Sequence, residues 1–308
     1  MKFLSGKNME NDLSMGAAWM NGKVLPISQA MIPVNDWGLV HSDITYDVVP
    51  VIDGAFFRFD EYLTRFLSSM ENLHLDPGMS KRDIKAALHQ MVGKSSLRDS
   101  YVAMVCSRGK PKIAGSRDPR DCENHFFAWC VPYVHIIKPE IVEQGATAWI
   151  AQNAYRIPEN SVNPLVKNYH WGDFTQGIFE AKDKNYETVI LLDYDGNVTE
   201  GPGFNVFAVK DKVLITPDRG VLAGVSRKTV LEMAEHLGIN TSVRSLSVEE
   251  LLEADEVFLS SSGGGVIPII RVNETIFGNG ASGPISVQLN ETYWKWTTLE
   301  KYRDPIDY

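Results

Sequence analysis

Cysteine is scarce and offers nothing to build on. Cys106, Cys122 and Cys130 are odd in number and lack metal-ligand spacing, so they read as reduced thiols rather than a disulfide framework or a metal centre. Basic charge is also short. The 30 Lys and Arg against 39 Asp and Glu leave a formal net charge of −9, which argues against nucleic acid or an anionic membrane as the main partner. No window approaches the ~18 uninterrupted apolar residues that a membrane span needs. The leading stretch Met1 to Ser14 holds no apolar run suited to a signal peptide. Internal repeats and low-complexity tracts are absent. The expectation is a soluble cytoplasmic protein.

What is present is ordinary globular composition, 44% hydrophobic and 22% charged over 308 residues. That length exceeds a single small core, so two domains are expected. A smaller α/β domain over 1–134 and a larger one over 135–308 are assigned, with Pro132 to Glu140 as the connection. Asn21-Gly22 and Asp53-Gly54 accept the positive φ angles of tight turns, which predicts hairpins over Ala17 to Leu25 and Val48 to Phe59. Asp60 then caps a helix whose Leu63, Phe66, Leu67, Met70 and Leu73 share a face. Ser80 and Asp83 have capping-box spacing ahead of another helix.

Tyr101 to Cys106 and His125 to Val134 read as buried strands separated by a polar loop from Arg108 to Glu123. A loop of that length points to a lid or a subunit contact. Further on come a strand at Ala146 to Gln152, a helix at Asp173 to Lys184 and hairpin strands at Thr188 to Leu192 and Phe204 to Lys210. A helix follows from Ser226 to Leu237, then a Ser247/Glu250 capping box, a strand at Glu256 to Leu259 and a helix from Pro284 to about Trp296. The mixed order predicts an α+β architecture.

Two residues carry the chemistry. Lys167 sits in an apolar, strand-like setting after Pro164-Leu165-Val166 and before a Trp-Gly-Asp turn. A random lysine is far more often a surface residue, but burial here would lower its pKa and supply a neutral amine for attack on an aldehyde. Glu200 enters a glycine-rich corner, Thr199 to Asn205. Its ordinary reading is a turn acid. Placed against a pyridine nitrogen, it forms a charge pair of about 4 kcal/mol at about 4 Å and an effective dielectric near 20. A lysine and an acid so arranged suit pyridoxal phosphate, which needs a Schiff-base amine and a protonated ring.

Two segments could hold the phosphate. Gly224-Val225-Ser226 opens a helix whose N–H groups would face an anion, and Ser261-Ser262 before three glycines offers hydroxyls and close backbone approach. Each alone is weak. Arg65 lies beside Leu63, Phe66 and Leu67, so its head could turn inward, although alone it reads as a snorkelling surface arginine.

Together these residues resemble the class IV aminotransferases, fold-type IV pyridoxal phosphate enzymes. Arg65, Lys167 before Asn-Tyr-His-Trp-Gly-Asp, the Thr199 to Asn205 corner, Leu222 to Arg227 and the Ser261 to Pro268 run stand in that family's order. The similarity runs from about Ala17 to the end of the last helix. Within the family, His41-Ser42-Asp43-Ile44-Thr45-Tyr46 and Val166 to Asp173 are similar to (R)-selective amine transaminases. The resemblance implies a two-domain fold with the active site at the domain interface. It also implies a homodimer in which each subunit's loop reaches the other's pocket.

Carried over by position, Lys167 resembles the Schiff-base lysine and Glu200 the acid at the ring nitrogen. Arg65, Val225, Ser226, Ser261 and Ser262 correspond to the phosphate site, and Leu222 to the side chain packed on the ring. His41, Tyr46, Tyr101 and Trp171 line the substrate pocket. No metal is implied. The implied reaction passes an amino group from an (R)-amine to a keto acid such as pyruvate by a 1,3-proton shift. Branched-chain or D-amino-acid aminotransferase and aminodeoxychorismate-type lyase remain alternatives.

The chain departs from the pattern in three places. His170 replaces a usual glutamine, and the Arg108 to Glu123 loop lacks the Arg-x-His carboxylate clamp. Ala103 and Ala114 stand where some amine transaminases carry a glutamate and an arginine, with Arg108 or Arg117 as substitutes.

Overall fold

Asn21 and Gly22 take φ of 49° and 77°, which turns Ala17–Met20 back onto Lys23–Pro26 as a tight hairpin. Asp53 and Gly54 do the same between Ile44–Ile52 and Ala55–Phe57. The computed structural model describes residues 12–308, so most of the Met1 to Ser14 reading lies outside the described residues. The chain divides into two units. The first holds the described residues up to Val134 together with Lys167–Tyr169 and Glu300–Tyr308; the second holds His135–Val166 and His170–Leu299.

In the first unit seven strands form one sheet among the described residues. Its order is Arg303–Pro305, Ala55–Phe57, Ile44–Ile52, Ser100–Pro111, Cys122–Pro132, Ala17–Met20 and Lys23–Pro26. Along Cys122–Pro132 the residues Phe126, Ala128 and Cys130 are buried while Phe127, Trp129 and Val131 are half-buried, so the two faces differ. The buried face meets the helix Phe59–Asn72, whose Phe66 ring lies 6.1 Å from that of Phe126. Tyr62, Leu63, Phe66 and Met70 of this helix are buried, each contributing roughly 1.5–3 kcal/mol.

Local details correct the sequence reading. Arg58, in the left-handed region at φ 56°, occupies the N-cap position, and Asp60 lies inside the first turn. Leu67 and Leu73 are only half-buried. The Ser80/Asp83 capping box forms as expected at the start of Lys81–Ser95. The strands flanking the expected Arg108 to Glu123 loop run on to Pro111 and resume at Cys122, with a register shift between Ser107 and Lys110. The loop is thus shortened to residues 112–121, and a bulge at Gly109 accounts for the break in pairing before it.

The second unit carries a nine-stranded sheet among the described residues. Its main path is Asn240–Val243, Val213–Thr216, Phe204–Lys210, Glu256–Ser261, Gly265–Val272, Ala146–Tyr155 and Thr188–Leu192, with Glu200–Gly201 on Phe204–Lys210 and Thr275–Ile276 on Gly265–Val272. Thr188–Leu192 and Phe204–Lys210 are therefore not a hairpin. Thr188–Leu192 pairs in parallel with Ala146–Tyr155, with the helix Gly172–Asp183 between them in the chain. Ser247 caps Val248–Leu252 through the Glu250 N–H, but the Glu250 carboxylate goes to Arg244. Val225–His236 and Pro284–Trp296 form the remaining long helices. No helix of the described residues is long and apolar enough to cross a membrane.

Candidate active site

In the first unit Lys167 is fixed by its backbone. Its carbonyl accepts the Thr45 hydroxyl at 2.6 Å and the Tyr46 N–H at 3.4 Å, and its N–H donates to Ser69 Oγ at 3.3 Å. Lys167 is not in a strand, as its apolar flank suggested. It stands beside a single antiparallel bridge, Thr45 to Asn168, and Leu165 is exposed. The sequence reading carried this lysine with the second domain, whereas its contacts group it with the first unit. Its side chain lies on an aromatic surface. Nζ is 4.6 Å from the Tyr46 ring centroid, within cation–π range, and Tyr46 also stacks on Tyr169 at 4.1 Å.

Strand alternation continues that surface. Tyr46 pairs with Val105, Val48 with Ala103 and Pro50 with Tyr101, so these side chains share a face. Burial, followed by the neighbouring Tyr46, pushes the Tyr101 and Tyr169 hydroxyls up, so both remain neutral phenols. The next residue along, Asp47, points the other way and is fully buried. It accepts Arg65 Nε at 2.8 Å and Nη2 at 2.6 Å. Burial works against the Arg65 charge, but Asp47 more than offsets it and holds the guanidinium protonated. Arg65 thus does turn inward.

His41 is exposed at the end of the short helix Trp37–Val40, edge-on to Trp37 at 4.6 Å. Its segment is pinned at both ends. Asp36 lies 2.7 Å from His125 Nε2 and accepts the Ser107 hydroxyl; Asp43 is bound by Arg108. Arg108 also donates to the carbonyls of Leu73 and His74. The arginine offered as a carboxylate ligand is therefore engaged in tying this segment to the sheet. Arg117 and Ala114 lie in the segment between the two strands, where Ala114 is exposed.

In the second unit Glu200 is buried within a set of donors. Oε1 accepts Arg156 Nε at 3.2 Å, and Oε2 accepts the Leu222 N–H at 2.8 Å and Asn205 Nδ2 at 3.4 Å. Asn205 also donates to the Leu222 carbonyl at 3.0 Å, so one side chain fixes both the acid and the segment carrying Leu222. The helix Val225–His236 follows, with Gly224 at its N-cap position and no side-chain cap. Glycine is required there for space. A Cβ on Gly224 would come within 2.1 Å of Asn205 Oδ1.

Val225 and Ser226 are buried in the first turn of that helix. The Ser261 hydroxyl donates to the Gly203 carbonyl at 2.8 Å and accepts the Gly263 N–H at 3.1 Å, while Ser262 is half-buried beside it. Trp171 stands at the N-terminus of Gly172–Asp183, edge-on to Phe174 at 5.4 Å.

These donors fit pyridoxal phosphate. The buried, uncapped helix start suits a phosphate dianion, and the fixed carboxylate suits a pyridine nitrogen. An orphan agrees with this. Ser260 Oγ is buried without a hydrogen-bond partner, and Ser260 pairs across the sheet with Asn205, which pairs with Glu200. The three side chains share one face.

Sequence reasoning missed Arg156 and Asn205 beside Glu200, Asp47 beneath Arg65, and Thr45 and Ser69 behind Lys167. A buried arginine after an apolar strand and before Ile157-Pro158 was the available signal, but nothing local names a partner 44 positions away. Groups of His, Cys, Asp and Glu able to hold a metal ion are absent among the described residues.

Known proteins carry the same arrangement of elements. The family described as amino-transferase class IV matches residues 45–272. The chain is 28% identical to a putative branched-chain-amino-acid aminotransferase of Methanocaldococcus jannaschii over 89% of this chain and 94% of that protein. It is 29% identical to the D-alanine aminotransferase of Bacillus licheniformis, covering 86% and 92%. The crystal structure of Escherichia coli branched-chain amino acid aminotransferase superposes with a TM-score of 0.87 at 25% identity, covering 94% and 98%. That of the T.th. branched-chain amino acid aminotransferase with pyridoxamine 5′-phosphate shares the fold, with a TM-score of 0.87 at 24% identity over 94% and 98%. The chain belongs to the class IV aminotransferase family, with its α+β fold-type IV architecture. It is a transaminase, and its cofactor is pyridoxal phosphate.

Proposed function

We propose that this aminotransferase takes its amino group from an (R)-amine without a carboxylate and passes it to a keto acid such as pyruvate. When bound, pyridoxal phosphate supplies an aldehyde that captures amines and a ring that accepts the electron pair left when the donor carbon loses its proton. Lys167 Nζ would hold the cofactor through its aldehyde carbon and would be freed when a donor amine takes its place. Nζ then takes the proton from the donor carbon and releases it at the carbon it had held. Glu200 would stand at the ring nitrogen and keep a proton on it. Arg65, the N–H groups of Val225 and Ser226, and Ser261 with Ser262 bind the phosphate. Leu222 orients the ring, while His41, Tyr46, Tyr101 and Trp171 exclude water and shape the donor's place.

The observation that carries the choice of donor is the neutral surface around Lys167 together with the engagement of Arg108. Tyr46, Tyr101, Ala103, Val105 and Tyr169 offer no positive charge, and the Arg108 N–H groups go to Asp43 and two carbonyls. A donor carboxylate forgoes a charge-assisted hydrogen bond of about 1.5–3 kcal/mol, a roughly tenfold to 150-fold handicap. The second reading, a branched-chain or D-amino-acid donor, is favoured by what the relatives are called.

The deciding experiment compares kcat/KM for (R)- and (S)-1-phenylethylamine, L-leucine and D-alanine with pyruvate as acceptor, and tests aminodeoxychorismate for pyruvate release. The (R)-amine should lead by at least about tenfold; a lead for L-leucine or D-alanine establishes the second reading. A cytoplasmic homodimer completes the proposal. The dimer is supported by Met31, Val34, Leu39 and Val40, which are 78%, 84%, 58% and 53% exposed in one stretch. Light scattering should give twice the 34.4 kDa chain mass.

A further inference from the structure

Arg156 is the one buried cation in direct contact with Glu200 among the contacts described above, and it is held from behind. Its Nη1 donates to Asp173 Oδ2 at 2.6 Å, its N–H donates to the Leu192 carbonyl at 2.8 Å, and its guanidinium lies 4.4 Å over the Phe174 ring. Asp173 Oδ2 also accepts the Ile157 N–H at 3.1 Å, so the far partner is itself fixed. These contacts suffice to tie the end of Ala146–Tyr155 to the helix Gly172–Asp183. The bond from Nε to Glu200 Oε1 lies apart from that joint. What it adds is a positive charge on the acid, opposite the Leu222 N–H on Oε2.

A neighbouring element also brings a charge near Glu200. Arg227, on Val225–His236, is pushed down by burial and supported by Asp218 and Glu200, and it donates to the Pro217 carbonyl.

We propose that Arg156 is a positioning residue for the acid. It holds Glu200 ionised and aimed, so that the proton shared between Glu200 and the cofactor's ring nitrogen stays on nitrogen. This rests on the reading above that Glu200 faces that nitrogen. The physical reason is distance. A cation in contact with the carboxylate stabilises a negative acid more than it repels a proton on the far side of that acid. Without Arg156 the proton moves toward Glu200, and the ring withdraws electrons less strongly.

The test uses the holoenzyme and reads the pH midpoint of the bound cofactor's visible absorbance change, alongside kcat and KM. Arg156→Gln alone strands a buried Asp173, so it is combined with Asp173→Asn, and Asp173→Asn alone is its reference. Relative to that reference the double variant should raise the midpoint by about one to two pH units. It should also lower kcat about tenfold with KM within about twofold. Arg156→Lys, which keeps the charge, should stay within about half a unit of wild type.

Glu200→Gln must move the midpoint in the same direction. If it does not, the placement of Glu200 at the ring nitrogen fails, and this inference fails with it. If Glu200→Gln moves the midpoint but the double variant matches Asp173→Asn, only the role of Arg156 is overturned. A midpoint in Arg156→Lys equal to that of the double variant overturns the assignment to charge.

Discussion

Replacing Thr45 with valine removes one hydrogen atom's worth of function and almost no shape. The Thr45 hydroxyl is fully buried and donates to the Lys167 carbonyl at 2.6 Å. Losing a buried donor costs about 1–3 kcal/mol when its acceptor stays under-satisfied. The Tyr46 N–H, at 3.4 Å, is too long to replace it fully. Lys167 stands outside the strands, and this clamp, the Ser69 contact and one bridge residue further on help hold its backbone. The lost free energy therefore falls on where Nζ sits. At 1.36 kcal/mol per decade, 1–3 kcal/mol corresponds to a drop in kcat of about fivefold to 150-fold. Thr45→Ser keeps the donor and should retain most of the rate. The assay is kcat at saturating donor and acceptor for both variants, with thermal unfolding recorded in parallel. A Thr45→Val enzyme within about twofold of wild type in kcat would refute the clamp.

Asp47→Ala removes the buried partner of the Arg65 guanidinium and should cost about 3–5 kcal/mol of stability, most of it recovered when Arg65→Met is added; urea unfolding of the two variants against wild type checks this. Gly224→Ala suits the local backbone at φ −63°, yet its Cβ would meet Asn205 Oδ1 at 2.1 Å and displace Asn205 from Glu200 and Leu222. It should weaken cofactor binding about tenfold and lower stability by about 1–3 kcal/mol, as read by equilibrium dialysis and melting. Burial against Phe56 and Phe59 pushes the His89 imidazole down despite Asp304. Below the unfolded value of about 6.5 the unfolded chain binds the proton first, so stability is full above that pH and is lost as pH falls through the folded pKa. His89→Gln should flatten the acid side of the melting-temperature profile, and an unchanged slope contradicts the assignment.

Short-range chemistry was readable and long-range pairing was not. Asn21-Gly22, the Ser80 capping box and Pro284 act through their own backbone, so their elements appear where the sequence puts them. The apolar runs at Thr188–Leu192 and Phe204–Lys210 show that each is a strand but carry no sign of a partner, and they lie in different parts of the sheet. The bulge at Gly109 made the following loop read longer than it is, because the strand pattern breaks at a bulge as it does at a loop. The same limit governs the site. Glu200 and the helix start at Gly224 could be singled out from their flanking residues, whereas the apolar flank of Lys167 misplaced it in a strand. Arg156, Asp47 and Thr45 act through partners 44, 18 and 122 positions away, which nothing in their local sequence names.

The central claim is that Lys167 is the amine that holds the cofactor. Protein loaded with pyridoxal phosphate, reduced with borohydride and digested should yield one phosphopyridoxyl peptide, modified at Lys167, and Lys167→Ala should yield none. An adduct on a different lysine, or undiminished turnover in Lys167→Ala, would contradict the account.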